Sequence, residues 1–324
     1  MRGLLKRREL TLVLIIVVLL TAVSLRAPGF LKPGNLRDIL TDTAILVIVS
    51  IGQMMVIITG GADLSVASGI AFTGMTVAMI NWFNPAIPIW VIVLLSLVIG
   101  MGLGAINGFL VSVTRIPPII TTIATMGIYR GAVFLESGGQ WVSAHKMTEG
   151  FRNLPHAAPL GISNLLLAAM LVIIIFQVLM RLTRTGREIY GVGGNPVAAR
   201  YVGISIPKIN FLVYVLCGIL VGLAGLLWVA RYASAQNDTA SGFELQTIAA
   251  CVIGGVSMLG GSGSLAGVVL GALFLGIVNN ALTVIGLSPF YQMAIQGFVI
   301  LAAIIANSVV DSRTQASLLR TRKL

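Results

Sequence analysis

The chain has 324 residues, 57% of them hydrophobic and only 10% charged, with a mean hydropathy of +1.01. A soluble domain carries about 25% charged residues, so this composition excludes a soluble enzyme with an ordinary polar shell. The net charge of +11 would point to nucleic acid in a soluble chain. Here the basic residues lie between apolar runs, as in the inward-facing loops of membrane proteins, and no nucleic-acid partner is expected.

A transmembrane helix takes about 20 apolar residues, and ten such runs follow one another: 10–26, 38–59, 64–82, 87–112, 117–135, 160–182, 208–231, 244–260, 264–287 and 290–310. They predict an all-α polytopic membrane protein, one transmembrane domain over 1–324, with a helical bundle at 10–310 between tails 1–9 and 311–324. The first run follows Arg2, Lys6, Arg7 and Arg8, and Ala22-Val23-Ser24 offers a small-residue cleavage site. The spans that follow favour an uncleaved anchor.

With the N-terminus inside, the inner side holds fourteen basic residues: Arg2, Lys6, Arg7, Arg8, Arg115, Arg181, Arg184, Arg187, Arg200, Lys208, Arg313, Arg320, Arg322 and Lys323. The outer side holds seven: Arg26, Lys32, Arg37, Arg130, Lys146, Arg152 and Arg231. The positive-inside rule therefore predicts both termini in the cytoplasm.

Along the chain, Gly60-Gly61 can end a helix in the left-handed conformation, and Asp63 can cap the next one or serve a pathway. Gly100, Gly104 and Gly108, then Gly218 and Gly222, then Gly263, Gly267 and Gly271 recur at helical four-residue spacing, which lets neighbouring backbones approach closely in lipid. The stretch 136–159 carries Glu136, Trp141, His145, Lys146, Glu149, Arg152 and His156. It reads either as a docking surface for a soluble partner or as a solvated loop with Trp141 and Phe151 at the membrane interface. Ser241-Gly242-Phe243-Glu244 matches a capping box. Cys217 and Cys251 lie inside apolar runs and read as small core residues. A weak likeness of Gly60-Gly61…Leu64…Gly69 to Gly260-Gly261…Leu265…Gly267 hints at an internal repeat.

The spans are poor in carboxylates, which argues against a proton- or sodium-coupled carrier. Neutral polar residues are more frequent: Gln53, Thr73, Asn107, Thr121, Thr122, Thr125, Asn279, Asn280, Gln292 and Gln296. Each serves either a pathway for a hydroxyl-rich solute or hydrogen bonding between helices. Together with Asp63, the candidate pathway set is Gln53, Asn107, Thr122, Asn279 and Gln296. The chain lacks GxxxxGK[ST], HExxH and GxSxG, so neither a catalytic residue nor a metal ligand is expected, and any ATP is bound by another chain.

Residues 183–207 form the most informative connection. Thr185 and Glu188 offer a capping box for one short turn, and Gly191, Gly193 and Gly194 then break it. Asn195 suits an N-cap, Pro196 the first helical position and Gly203 the stop. The expected result is a two-turn helix whose small Ala198-Ala199 face seats in a groove of a partner.

That segment resembles the coupling region of permeases in ATP-binding-cassette (ABC) importers of the ribose/xylose/arabinose-type sugar permease family. The motif runs from Thr185-Gly186-Arg187 through Gly193-Gly194-Asn195-Pro196-x-Ala198-Ala199 to Gly203-Ile204. The likeness continues in Gly61-x-Asp63-Leu64-Ser65, Gly104-x-x-Asn107-Gly108, Ile116-Pro117-Pro118-Ile119, Arg130-Gly131 and the glycines from Gly254-Gly255 through Gly260-Gly261 to Gly267. It covers about residues 35–308. Against the wider importer motif Glu-Ala-Ala-x-x-x-Gly, this chain has Val197 in place of the glutamate and a shorter spacing from Gly203 to Pro207.

The resemblance implies a permease subunit of a bacterial inner-membrane importer. A second permease, identical or related, would share the pathway. Two ATP-binding subunits would dock on the 195–203 helix, and a periplasmic sugar-binding protein would deliver a monosaccharide, either a pentose or a (deoxy)hexose. Thr185, Gly186, Arg187, Gly193, Gly194, Asn195, Pro196, Ala198, Ala199 and Gly203 would couple the bundle to the ATPase. Trp141-x-x-Ala144-His145-x-Met147 resembles rhamnose-type members, and an autoinducer-2-type substrate stays open. The alternative is a secondary carrier or channel for a small neutral solute.

Overall fold

The computed structural model describes residues 2–158, 161–288, 290–299, 301, 302 and 305, with side chains from residue 9 onward. Helices α1 (Arg2–Arg26), α2 (Pro33–Ile58), α3 (Val66–Phe83), α4 (Ile89–Ser112) and α5 (Pro118–Ser137) occupy the first five predicted spans. Helix α2 starts five residues ahead of the predicted run because Pro33, with φ preset for a helix, sits in its first turn. A short α6 (Glu149–Asn153) precedes α7 (Asn164–Leu182), α8 (Arg184–Gly194), α9 (Pro196–Tyr201), α10 (Ile206–Tyr232), α11 (Phe243–Ile253) and α12 (Leu265–Val284). Among the described residues, eight helices are long and apolar enough to cross a membrane.

The eighth predicted span, 244–260, is corrected. Helix α11 has only 11 residues, about 16 Å at 1.5 Å per residue, which is roughly half a hydrocarbon core. Gly254 and Gly255 end it, and a turn through Gly263 leads into α12. The predicted capping box is absent too: Gly242, at φ 82°, holds the N-cap position without a side-chain bond. The tenth run is helical over 290–299; its remainder and the tail 311–324 lie largely outside the described residues.

Helix α2 is the hub of the bundle, buried along most of its length and packed by α7, α10, α11 and α12. The tightest contact is between α4 and α10. A methyl on Gly104 would stand 2.9 Å from the Gly218 Cα, and one on Gly100 would stand 2.6 Å from the Gly222 Cα, so only hydrogen fits at either position. Gly267 and Gly271 likewise meet Gly254 and the Ala250 carbonyl across the α11–α12 contact. Gly263 departs from the predicted stripe, because it lies in the turn with φ 159° and faces Val256.

The two ends of the bundle differ. At one, strands β1 (Val142–Ser143) and β2 (Ser234–Ala235) pair antiparallel above a small core of Phe151, Met147, Val142 and Ala230. Phe151 is fully buried there, which corrects its expected place at the membrane interface: the Thr148 side chain caps α6 and turns Phe151 inward. The other end carries α8, α9 and the turns 59–65, 113–117 and 254–264.

Size at the α4–α10 contact can be tested directly. Gly104→Val should lower the melting temperature or abolish folded protein, since overpacking costs about 1–3 kcal/mol even where side chains can yield, and here backbone is the obstacle. Gly102→Ala, where a methyl meets nothing within 4 Å, should melt as the parent does. Fluorescence-detected size-exclusion melts of the detergent-solubilised chain measure both.

Candidate functional site

The candidate polar residues separate into two groups. Gln53, Asp63, Asn107 and Thr122 all converge on the connection between α2 and α3. Gly60, at φ 85°, ends α2 as expected. Asp63 does accept backbone N–H, but as a turn rather than as the N-cap, which falls on Ser65. Its Oδ1 accepts from the Ser65 amide at 2.9 Å and from the Ser65 hydroxyl at 2.6 Å. Asn107 donates to the Ser65 Oγ at 2.8 Å, and Thr122 donates to the Ala62 carbonyl at 3.2 Å. With its amide oriented to satisfy both atoms, Gln53 exchanges two 3.1 Å bonds with the Asp63 backbone. Tyr129 donates to the Leu103 carbonyl at 2.9 Å and lies 3.4 Å from the Asn107 Oδ1. All four predicted residues are buried and engaged, so this is a structural knot that satisfies a non-helical segment, which lipid would otherwise penalise.

Asn279 and Gln296 belong to the second group. With Asp42, Thr43, Gln246, Asn280, Thr283 and Gln292 they line a cleft of about 340 Å³ between α2, α11, α12 and the helix from residue 290. Trp228, Tyr232 and Phe243 form its aromatic wall, with the Trp228 and Phe243 rings edge to face at 4.9 Å. Among the described residues, the buried side-chain oxygens Asn279 Oδ1, Asn280 Oδ1 and Thr43 Oγ1 have no hydrogen-bond partner, an arrangement that leaves capacity for a donor. Asp42 is not free: Arg231 binds its Oδ1 at 2.9 Å. Asp42 lies inside the predicted span 38–59, and a carboxylate within a span was the signal that could have found it. Nothing in the sequence pairs α2 with Trp228 or Gln246, because the folding of α10 and α11 against α2 alone brings them together.

The segment 183–203 folds differently from the expected pattern of breaks. Thr183, not Thr185, caps α8, its hydroxyl accepting from the Gly186 amide at 3.2 Å. Glu188 pairs with Arg184 at 2.7 Å instead of closing a capping box. Gly191, Gly193 and Gly194 stay helical, and Gly193 serves a close approach: a methyl on it would collide with the Ile58 carbonyl, and one on Gly261 would stand 2.5 Å from the Gly194 Cα. The Ile58 carbonyl already accepts from the Gly261 amide at 2.8 Å, and the Tyr190 hydroxyl donates to the Gly263 carbonyl at 3.0 Å. Asn195 caps α9 by accepting from the Ala198 amide at 3.0 Å, Pro196 opens the helix, and Gly203 stops it at φ 83°. Ala199 is buried against the bundle. The face that α9 leaves open is therefore Pro196, Val197, Ala198, Arg200 and Tyr201, and of the Ala198-Ala199 pair only Ala199 turns inward. Thr185 is half-buried, Gly186 is pressed against the Met180 carbonyl, and Arg187 is exposed.

At the opposite end, Arg130 donates to the Asn237 and Thr239 carbonyls at 2.8 and 2.9 Å, tying α5 to the loop before α11. Lys146 lies 4.0 Å over the Trp82 ring, and Trp141 is exposed. Cys217 and Cys251 are buried and unlinked, as expected of core residues.

Residues 35–304 match the family model described as a branched-chain amino acid transport system permease component. The chain is 38% identical over 296 residues to the ribose import permease protein RbsC of Escherichia coli K12, covering 90% of this chain and 91% of that one. It is 34% identical over 323 residues to the autoinducer 2 import system permease protein LsrC of Enterobacter sp. 638, covering 100% and 92%. Against RbsC of Bacillus subtilis 168 it is 35% identical over 292 residues, covering 90% and 89%. No solved structure matches it.

The knot around Asp63 makes its own prediction. Asn107→Leu leaves the Ser65 hydroxyl and the Asp63 carboxylate short of donors, at a cost of about 1–3 kcal/mol for buried groups. The variant should melt several degrees lower in detergent, whereas Gln246→Leu in the cleft, which removes no side-chain hydrogen bond among the described residues, should leave the melting temperature near that of the parent.

Proposed function

The chain belongs to the family of branched-chain amino acid transport system permease components, and we propose that it lines the path of a small, neutral, hydroxyl-rich solute through an ABC importer of the bacterial inner membrane. The solute class is a monosaccharide, pentose or (deoxy)hexose, or a compound like autoinducer 2, in keeping with the relatives named for ribose and autoinducer-2 import. A rhamnose-like sugar fits the same chemistry. The observation that carries this reading is the cleft: amide and hydroxyl oxygens without partners beside an aromatic wall, which suits hydroxyl donors on an otherwise apolar ring face. A zwitterionic amino acid would want a free carboxylate and a free cation there, and Asp42 and Arg231 neutralise one another instead.

In this reading the α8–α9 end faces the cytoplasm. ATP-binding subunits dock on the exposed Pro196, Val197 and Tyr201. The coupling set is Thr185, Gly186, Arg187, Gly193, Gly194, Asn195, Pro196, Ala198, Ala199 and Gly203, with Ala199 and Gly193 seating the segment on the bundle rather than touching the partner. The ribbon end faces a sugar-binding protein, and a second permease, identical or related, completes the pathway. The chain holds no ATP of its own. Motion of α8 reaches the turn 260–263 through Gly193 and Tyr190, and that turn opens α12, which carries Asn279 and Asn280.

Uptake of labelled sugar by the assembled importer in proteoliposomes tests both parts. Asn280→Leu should raise KM or lower kcat/KM by about tenfold or more, as expected when a hydrogen-bonding site loses its partner, and excess leucine should not compete. Val197→Asp with Tyr201→Asp should abolish ATP-driven uptake and release the ATP-binding subunit, while the chain still inserts. Unchanged uptake in Asn280→Leu together with competition by leucine overturns the solute reading; full uptake in the double variant overturns the docking face.

A further inference from the structure

Helix α1 takes no part in the cleft, the knot around Asp63 or the open face of α9. Of its described side chains only Leu12 is buried, and α12 is its main neighbour. Toward its C-terminus, Ile16, Leu19, Leu20 and Val23 pack on a small core that includes Ile277 and Ala281 of α12. Such apolar contact orients little in lipid, where nothing drives apolar faces together. The other end is held by polar chemistry. Glu9, the sole carboxylate between Arg2 and Arg26, accepts a hydrogen bond from the Ser264 hydroxyl at 2.6 Å. A bond to an ionised group is short and about twice as strong as a neutral one.

Ser264 is the N-cap of α12, its oxygen accepting from the Gly267 amide at 2.9 Å. Its proton is thus committed to Glu9 and a lone pair to the helix, so one hydroxyl joins α1 to the start of α12. A carboxylate there also meets the positive end of the α12 dipole. The preceding residue, Gly263, accepts from the Tyr190 hydroxyl at 3.0 Å, and the Gly261 amide donates to the Ile58 carbonyl. Between Gly261 and Ser264 the turn therefore carries tethers to α2, α8 and α1 in succession. Asn279 follows on the same helix, about 22 Å further along at 1.5 Å per residue.

We propose that Glu9 is a positioning residue for transport: through Ser264 it latches α1 to the start of α12, so that α1, the turn 260–264 and α12 shift together when α8 is displaced. This rests on the importer reading above, because it needs α8 to be driven by ATP. Without the latch, displacement of α8 bends the turn and is lost before it reaches Asn279 and Asn280. Solute binding then survives, while ATP hydrolysis runs with little solute carried.

Uptake of labelled ribose and hydrolysis of ATP, read on the same importer proteoliposomes, test this. Glu9→Leu should lower kcat for uptake and the solute carried per ATP about tenfold, the scale of one hydrogen bond to a charged group, with KM within about twofold of the parent. Glu9→Gln, whose amide oxygen still accepts from Ser264, should recover about half of the parent rate or more. Glu9→Leu added to Ser264→Ala should cost nothing further, since both act through one bond. Should Glu9→Leu fail to fold, Glu9→Cys with Ser264→Cys carries the test: uptake should be low until a short thiol cross-linker joins the pair, and recover on joining. Cys217 and Cys251 are buried and leave the reagent to the introduced pair. Parental coupling in Glu9→Leu overturns the latch alone, provided that Val197→Asp with Tyr201→Asp still abolishes uptake. Uptake, ATP hydrolysis and melting temperature falling together overturn it in favour of a purely structural bond. Failure of Glu9→Gln to recover overturns it in favour of charge acting on the α12 dipole, and so does a cross-linked pair as slow as the open one. A parent that moves no ribose at the expense of ATP overturns the importer reading itself, and the latch falls with it.

Discussion

The bundle depends on glycine letting helix backbones touch. In hydrocarbon there is no water to drive apolar faces together, so association has to come from close packing and polar contacts. The α4–α10 pair meets this requirement at Gly100, Gly104, Gly218 and Gly222, where each missing side chain admits the neighbouring main chain. Helix α10 also packs on α2 and α3, so that single contact fixes the frame on which the other spans are arranged. A second contact of the same kind, Gly254 and Ala250 against Gly267 and Gly271, sets the short α11 on α12. The half-length helix becomes one wall of the cleft there.

Polar residues inside this frame do two different jobs, and hydrogen-bond satisfaction separates them. Around Asp63, donors and acceptors are matched, because a non-helical stretch between α2 and α3 leaves main-chain groups that need partners away from water. Around Asn279 and Asn280 the oxygens are buried and unmatched. A folded chain tolerates unmatched buried acceptors at a cost, and here that cost falls on residues that line the cleft.

The two regions are linked mechanically at the α8–α9 end. The Ile58 carbonyl, the Gly261 amide and the Cα of Gly193 meet within one small volume, with Tyr190 bonded to Gly263 close by. Helix α8 therefore rests on the end of α2 and on the turn that begins α12. Helix α8 also packs on α7 and α10. The buried Ala199 anchors α9 to the same body, so the short exposed helix is an extension of the bundle rather than a loose arm.

Much of this was legible in the sequence. Runs of about 20 apolar residues define spans because lipid demands internal hydrogen bonding, and the glycine spacing at 100, 104, 108, 218 and 222 announced a close helix contact. Caps at Asn195, Pro196 and Gly203 are local chemistry and fell where expected. Other features were beyond reach because they are decided between distant segments. Gly193 looked like a helix breaker, yet it stays helical because packing against Ile58 outweighs its intrinsic propensity. The run 244–260 had the hydropathy of a span, but hydropathy does not register that Gly254 must sit against Gly267, where the helix ends. Gln53, Asp63, Asn107 and Thr122 carry the same polar chemistry as Asn279 and Gln296. Composition alone determined that this is a polytopic helical protein with neutral polar residues in its interior. Only the tertiary structure decided which of them are tied to one another and which are left facing a cleft, since hydrogen-bond satisfaction is a property of pairs brought together by folding.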